Sequence, residues 1–143
     1  MKRQTVLFTF FLLVAFPFLT YAQVSAEDQT SAKKDCIKKS LLLGVESENL
    51  GLQSCAAYML GEFCCDEAVV PLLKILHNSP YEEMRIMAAL SLYKIGDSRG
   101  IFAIKQAIKF DESTRVRKLC NKFYRTYLQA EENSPESLVV LKQ

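Results

Sequence analysis

Arg85-Ile86-Met87-Ala88-Ala89-Leu90-Ser91-Leu92-Tyr93-Lys94-Ile95-Gly96-Asp97 decides how this chain is read, because its pattern recurs when the sequence is laid on itself with a shift of 32 residues. Cys55-Ala56-Ala57-Tyr58-Met59-Leu60 falls on Met87-Ala88-Ala89-Leu90-Ser91-Leu92. Downstream, Phe63, Val69, Val70, Leu72 and Leu76 fall on Ile95, Ile101, Phe102, Ile104 and Ile108. A weaker third copy sets Arg117, Leu119, Cys120, Tyr124 and Tyr127 on Arg85, Met87, Ala88, Leu92 and Ile95. Going backwards, Val69 to Leu76 maps onto Ile37 to Gly44, so the stretch from Asp35 reads as the second helix of an incomplete leading repeat. A period of this size belongs to stacked units.

Each unit is predicted to be two helices. Ala56, Leu60 and Phe63 form one apolar stripe and Val69, Leu72, Leu73 and Leu76 another, at helical spacing and without the strict alternation of a strand. Ser79-Pro80-Tyr81-Glu82 reads as a cap, a proline at the first helical position and a glutamate placed to return a hydrogen bond. Ser134-Pro135-Glu136 repeats the motif before Leu138 to Leu141, which suits a closing helix. Gly96 can take the left-handed conformation that ends one helix while Asp97 or Ser98 caps the next. The pairs Ala56-Ala57 and Ala88-Ala89 let an adjacent helix approach closely. A lone hairpin of this kind cannot bury its own stripe and needs neighbours. The expected fold class is all-α: an α-solenoid of about three helical hairpins over 35–143, with an N-terminal half repeat and a C-terminal capping helix.

The stretch from Arg85 to Asp97, followed by a second apolar helix, resembles the HEAT repeat, in particular the short variety also found in phycobilisome lyases. The resemblance runs from about Asp35 to Tyr127 and implies a right-handed superhelix, an armadillo-like helical fold whose usual role is protein binding. It also implies that Arg85, Arg117 and Asp97 hold neighbouring repeats together. Lyase activity is not carried over, since only the repeat pattern matches. Cys64-Cys65 stands where the pattern has Gly-Asp, and Asn121 replaces the second alanine of the third copy.

Ahead of the repeats, Lys2 and Arg3 precede an apolar run from Val6 to Phe16, then Pro17 and Thr20-Tyr21-Ala22. That is the layout of a secretory signal peptide over 1–22, with Val24-Ser25-Ala26 as a second cleavage site. The run is shorter than the roughly 20 residues of a spanning helix, so no membrane span is expected after cleavage. Residues 23–34 form a polar leader, read as disordered. The expected location is the periplasm or the extracellular space. Lys2 and Arg3 account for the whole formal charge of +2, so composition gives no argument for a nucleic-acid partner. Arg99 to Tyr127 is locally basic, which fits either a solvated face or a docking patch.

No constellation that could carry chemistry is apparent. His77 is the single histidine, and there is no phosphate-binding glycine loop and no Cys-x-x-Cys. No catalytic, cofactor-binding or metal-ligating residue is assigned, and no cofactor is expected. The five cysteines all follow the signal segment. Cys55 and Cys120 read as small buried residues, whereas Cys36 could form a disulfide with Cys64 or Cys65 at one edge of the stack. The expected function is a non-enzymatic scaffold for an unidentified protein partner. The alternatives are a structural or regulatory subunit of an envelope complex and a thiol-redox or lyase-like enzyme. With Ile101, Ile104 and Ile108 in the core, the outward residues of the second helices form the candidate face: Phe102, Gln106 and Lys109, aligned with Val70, Lys74 and His77. Oligomeric state is left open.

Overall fold

A computed structural model describes residues 33–133 of the chain, which divides into two compact units, Met1–Ile37 and Lys38–Gln143. The signal segment, most of the leader and the closing helix expected from Leu138 to Leu141 lie outside the described residues. Of the first unit only 33–37 are described, and they are helical; in the second unit the helical residues begin at 38 and run to 45. The helical residues thus include Lys33 and Lys34, which the polar composition had placed in the leader; lysine is a good helix former.

The described residues are all helical, with no strand among them. We label the helix at 33–45 α1; it is followed by α2 (Leu50–Glu62), a single 3-10 turn (Asp66–Ala68), α3 (Val69–Asn78), α4 (Glu82–Ile95), α5 (Ser98–Phe110) and α6 (Thr114–Glu132). None of the described helices is long and apolar enough to cross a membrane.

The 32-residue spacing reappears in the backbone. The residues capping the N-termini of α2, α4 and α6 are Asn49, Tyr81 and Ser113. The Asn49 side chain accepts from the Leu52 N–H at 3.1 Å and Ser113 Oγ from the Val116 N–H at 3.4 Å, replacing helical bonds that the first turn lacks. Tyr81 cannot do this. The expected start at Ser79-Pro80 is therefore corrected: α4 begins two residues past the proline. Proline disfavours helical backbone at the residue before it, and Ser79 is extended, with ψ 129°. Its hydroxyl accepts from the Tyr81 N–H at 3.3 Å within the corner, and Glu82 turns away to Ser113 and Arg115.

The other corners repeat as well. Gly96 has φ 76°, and Cys64, one period earlier, has φ 47°. Asp97 and Cys65 follow in extended conformation, and the Asp97 carboxylate accepts from the Arg99 N–H at 2.8 Å. A left-handed cysteine is strained where a glycine is not.

Packing arranges the helices in two layers. α4 lies between α2 and α6, α3 packs on α5, and each of α3 and α5 packs more extensively on the helix that follows it than α4 does on α5. Ala56, Ala57, Ala88 and Ala89 are buried, with Leu60 and Leu92 a turn further on; a Cβ on Gly44 of α1 would sit 3.0 Å from Ala56, and one on Gly100 of α5 3.0 Å from Leu92. A Cβ on Gly61 would sit 2.8 Å from Ser91 Cα, so α2 and α4 touch backbone to backbone there. Each fully buried leucine contributes about 2 kcal/mol by leaving water. α6 departs from the period: the residue that would turn the chain, Leu128, is helical, and the helix runs on to Glu132.

Candidate functional site

Two regions carry the side chains singled out by the sequence: a polar seam along the corners and the outer face of α3 and α5.

The seam is built on Arg85. Its Nε and Nη2 donate to the two carboxylate oxygens of Asp111 at 2.9 and 3.1 Å, and its Nη1 donates to the Ser79 carbonyl at 2.9 Å. Both charged side chains are buried, 6% and 7% exposed. Such a fork is the strong form of an ion pair. One period on, Arg117 Nη1 donates to the Asp111 carbonyl at 2.6 Å, again six residues back. One period earlier Gln53 takes the place and donates to the Val45 carbonyl at 3.0 Å. Arg85 therefore ties α4 to the corner after α5, while the Arg117 contacts among the described residues are to its own corner. Asp97 corrects the expectation from the resemblance: its contacts are local, to the Arg99 backbone and guanidinium. The linking carboxylate is Asp111, which aligns with Ser79 and so gave no signal in the repeat.

Between first helices the ties are lateral. Lys94 pairs with Glu62 and lies over the Tyr58 ring, 4.6 Å from its centroid. Ser113 Oγ donates to Glu82 at 2.6 Å and Arg115 pairs with Glu82 at 3.0 Å. These bonds, first to Ser113 and then to Arg115, hold the Glu82 carboxyl below its ordinary range. Tyr93 stacks on Phe123 with ring centroids 5.8 Å apart.

The α3–α5 face has a different character. In α3 the core takes Val69, Leu72, Ile75 and Leu76, leaving Val70, Lys74 and His77 outward. In α5 it takes Ile101, Ala103, Ile104 and Ala107, leaving Phe102 and Lys109 exposed and Gln106 half-buried. A groove of about 570 Å³ runs between the helices, lined by Leu73, His77, Ser98, Arg99, Phe102, Ala103 and Gln106. A second, of about 610 Å³, shares His77 and Gln106 with it and continues past Phe110 to the Arg85–Asp111 pair. The fold thus brings His77, Phe102 and Gln106 together; Val70, Lys74 and Lys109 are exposed but line neither groove. Phe102 is 60% exposed and Phe110 77%. The sequence pattern missed Phe110, although its alignment with the polar Asn78 was a usable signal.

The thiols differ in placement. Cys65 is buried with its Sγ 3.0 Å from Glu67, and burial first, then Glu67, pushes its pKa up. Cys120 is buried as expected, and loss of solvation pushes it up to about 12. Cys55 is exposed. Its position precedes the alanine pair, one step off the α2–α4 contact, so the expectation of burial is corrected. Cys64 carries a free thiol on the surface. Among the described residues no three side chains of metal-ligating type converge. Compared with known proteins, the sequence matches no family model and no curated relative.

Proposed function

We propose that the chain is a non-enzymatic HEAT-like α-solenoid scaffold, exported by its N-terminal segment to the periplasm or beyond, that captures a protein partner on the α3–α5 face. The observation that carries this reading is Phe102, an aromatic residue left 60% exposed beside a groove on a face whose neighbouring positions are packed into the core. Buried aromatic anchors carry much of the energy of protein interfaces, and a contiguous apolar surface marks an interaction site. The solenoid is supported by caps, left-handed corners and arginine-to-carbonyl bonds that recur at the 32-residue period. A photo-crosslinking residue in place of Val70, used in the native cell envelope, is expected to trap one discrete partner. Replacing Phe102 with Ala and Lys109 with Glu together should abolish that adduct; an adduct that persists would remove this face as the site.

A second reading, a subunit that completes its core against another chain, is favoured by α6. Its half-buried Phe123, Tyr124 and Tyr127 and exposed Leu128 follow one another where the period would have turned the chain. Light scattering on the exported protein decides it: a clean monomer at micromolar concentration argues against an obligate assembly. The disulfide from Cys36 to Cys64 or Cys65 stays a proposal for non-reducing peptide mapping.

A further inference from the structure

We infer that the occupant of the α3–α5 face is a short acidic segment of another polypeptide, carrying an aromatic or aliphatic side chain between its carboxylates. The inference rests on the scaffold reading above and adds the chemistry of the partner.

The observation is a difference in how the layers balance charge. On the first helices the basic residues at the contacts have carboxylates: Lys94 has Glu62, Arg115 has Glu82 and Glu83, and Arg85 has Asp111. α3 and α5 contain Lys74, Arg99, Lys105 and Lys109 and not one Asp or Glu. Of the carboxylates around these helices, Asp97 pairs with Arg99, which Asp66 also faces, and Asp111 and Glu112 face Arg85. Lys105 lies over the Tyr124 ring, 5.8 Å from its centroid. Lys74 and Lys109 make no ion pair or hydrogen bond among the described residues. The two lysines are exposed on the same two helices, outside the lining of the mainly apolar groove, and add positive charge to its surroundings that no described carboxylate pairs with. Complementary charge on a ligand is steered there and fixed in register.

The size of the ligand follows from the helix. Phe102 and Phe110 stand eight residues apart on α5, which at 1.5 Å per residue is about 12 Å. An extended peptide covers that with about four residues. The ligand is accordingly a short linear motif, its apolar side chain on Phe102 and Leu73 and its carboxylates toward Lys74 and Lys109. An anionic lipid surface shares the charge, but the apolar lining here, Leu73, Phe102 and Ala103, follows a groove between two helices that suits an extended chain.

The test is selection from a random peptide library displayed on phage, using the full exported chain as bait, followed by fluorescence anisotropy on the enriched peptides. The expected result is enrichment of segments rich in Asp and Glu around one aromatic or aliphatic residue, with binding that weakens as salt is raised. Lys74→Glu with Lys109→Glu should reduce affinity at least tenfold and Phe102→Ala about tenfold, with unchanged helical circular dichroism and melting. Enrichment of neutral or basic peptides, no enrichment, or insensitivity to these substitutions would overturn the inference. So would binding to vesicles of phosphatidylglycerol with no peptide enriched, or peptide binding gained only after removal of 134–143, which contains Glu136 and Leu138 to Leu141 and would then be the occupant. If the Val70 crosslink traps a partner but selection shows no acidic preference, the scaffold reading stands and this inference alone falls.

Discussion

The contacts among α2, α4 and α6 and the outer face of α3 and α5 are built from one repeated sequence, yet they spend their side chains in opposite ways. Along the first helices Gly61 and Ser91 bring the α2 and α4 backbones together, and charges are matched across the contacts. On the α3–α5 face large apolar groups stand in solvent and, among the described residues, two lysines make no ion pair. Helices that pack on one another must fit, so the contacts between first helices can vary little, while among the described residues Phe102 and Phe110 on the outer face stay exposed. On the function proposed above, stability and recognition fall on different helices.

The sharpest way to break this contrast is Arg85→Met. It strips Asp111 of its partner while the carboxylate stays buried, and is expected to cost about 3 kcal/mol or more in urea unfolding. Adding Asp111→Asn should recover part of the loss; a loss below about 1 kcal/mol would mean that the corner seam is not what joins the units. Next in size, Gly61→Val forces a side chain against the Ser91 backbone and should lower stability by about 2 kcal/mol, visible as a fall in the thermal midpoint. Ser91 would have to move, and α2 with it.

A smaller effect of opposite sign is expected from Cys64→Gly, since glycine adopts φ near 47° without the steric cost that a Cβ meets. A gain of about 0.5–1 kcal/mol, read as a raised midpoint of unfolding, would show that the first corner carries strain that the Gly96 corner does not. The smallest stability effect belongs to Phe102→Ala, which should stay within about 0.5 kcal/mol of the parent protein while partner capture is lost. A large destabilisation there would erase the distinction between the two regions, because it would make Phe102 part of the packing.

Much of the fold was legible because it depends on spacing. The period, the corner at Gly96-Asp97, the buried alanine pairs and Cys120 all follow from residues whose size or backbone freedom leaves one use for them. The candidate face was legible in part: His77, Phe102 and Gln106 meet in a groove, as their alignment on second helices implied. Arg85 was identified without its partner, because Asp111 aligns with a serine and stands 26 residues away. Cys55 and the start of α4 misled for local reasons. A small residue beside an alanine pair need not share its side of the helix, and a Ser-Pro step suits an extended corner as well as a cap.

By itself the sequence determined the helical class, the 32-residue register, the corner at Gly96-Asp97 and most of the residues that enter the core, since these rest on periodicity and on what glycine and alanine can do. Only the tertiary structure decided that Arg85 closes on Asp111 and that α6 runs through its expected corner. It alone showed that, among the described residues, Lys74 and Lys109 make no ion pair and Phe102 is exposed. Which charges meet, and which are left facing water, depends on how separate helices come to rest against one another, a matter of three-dimensional distance that no spacing along the chain encodes.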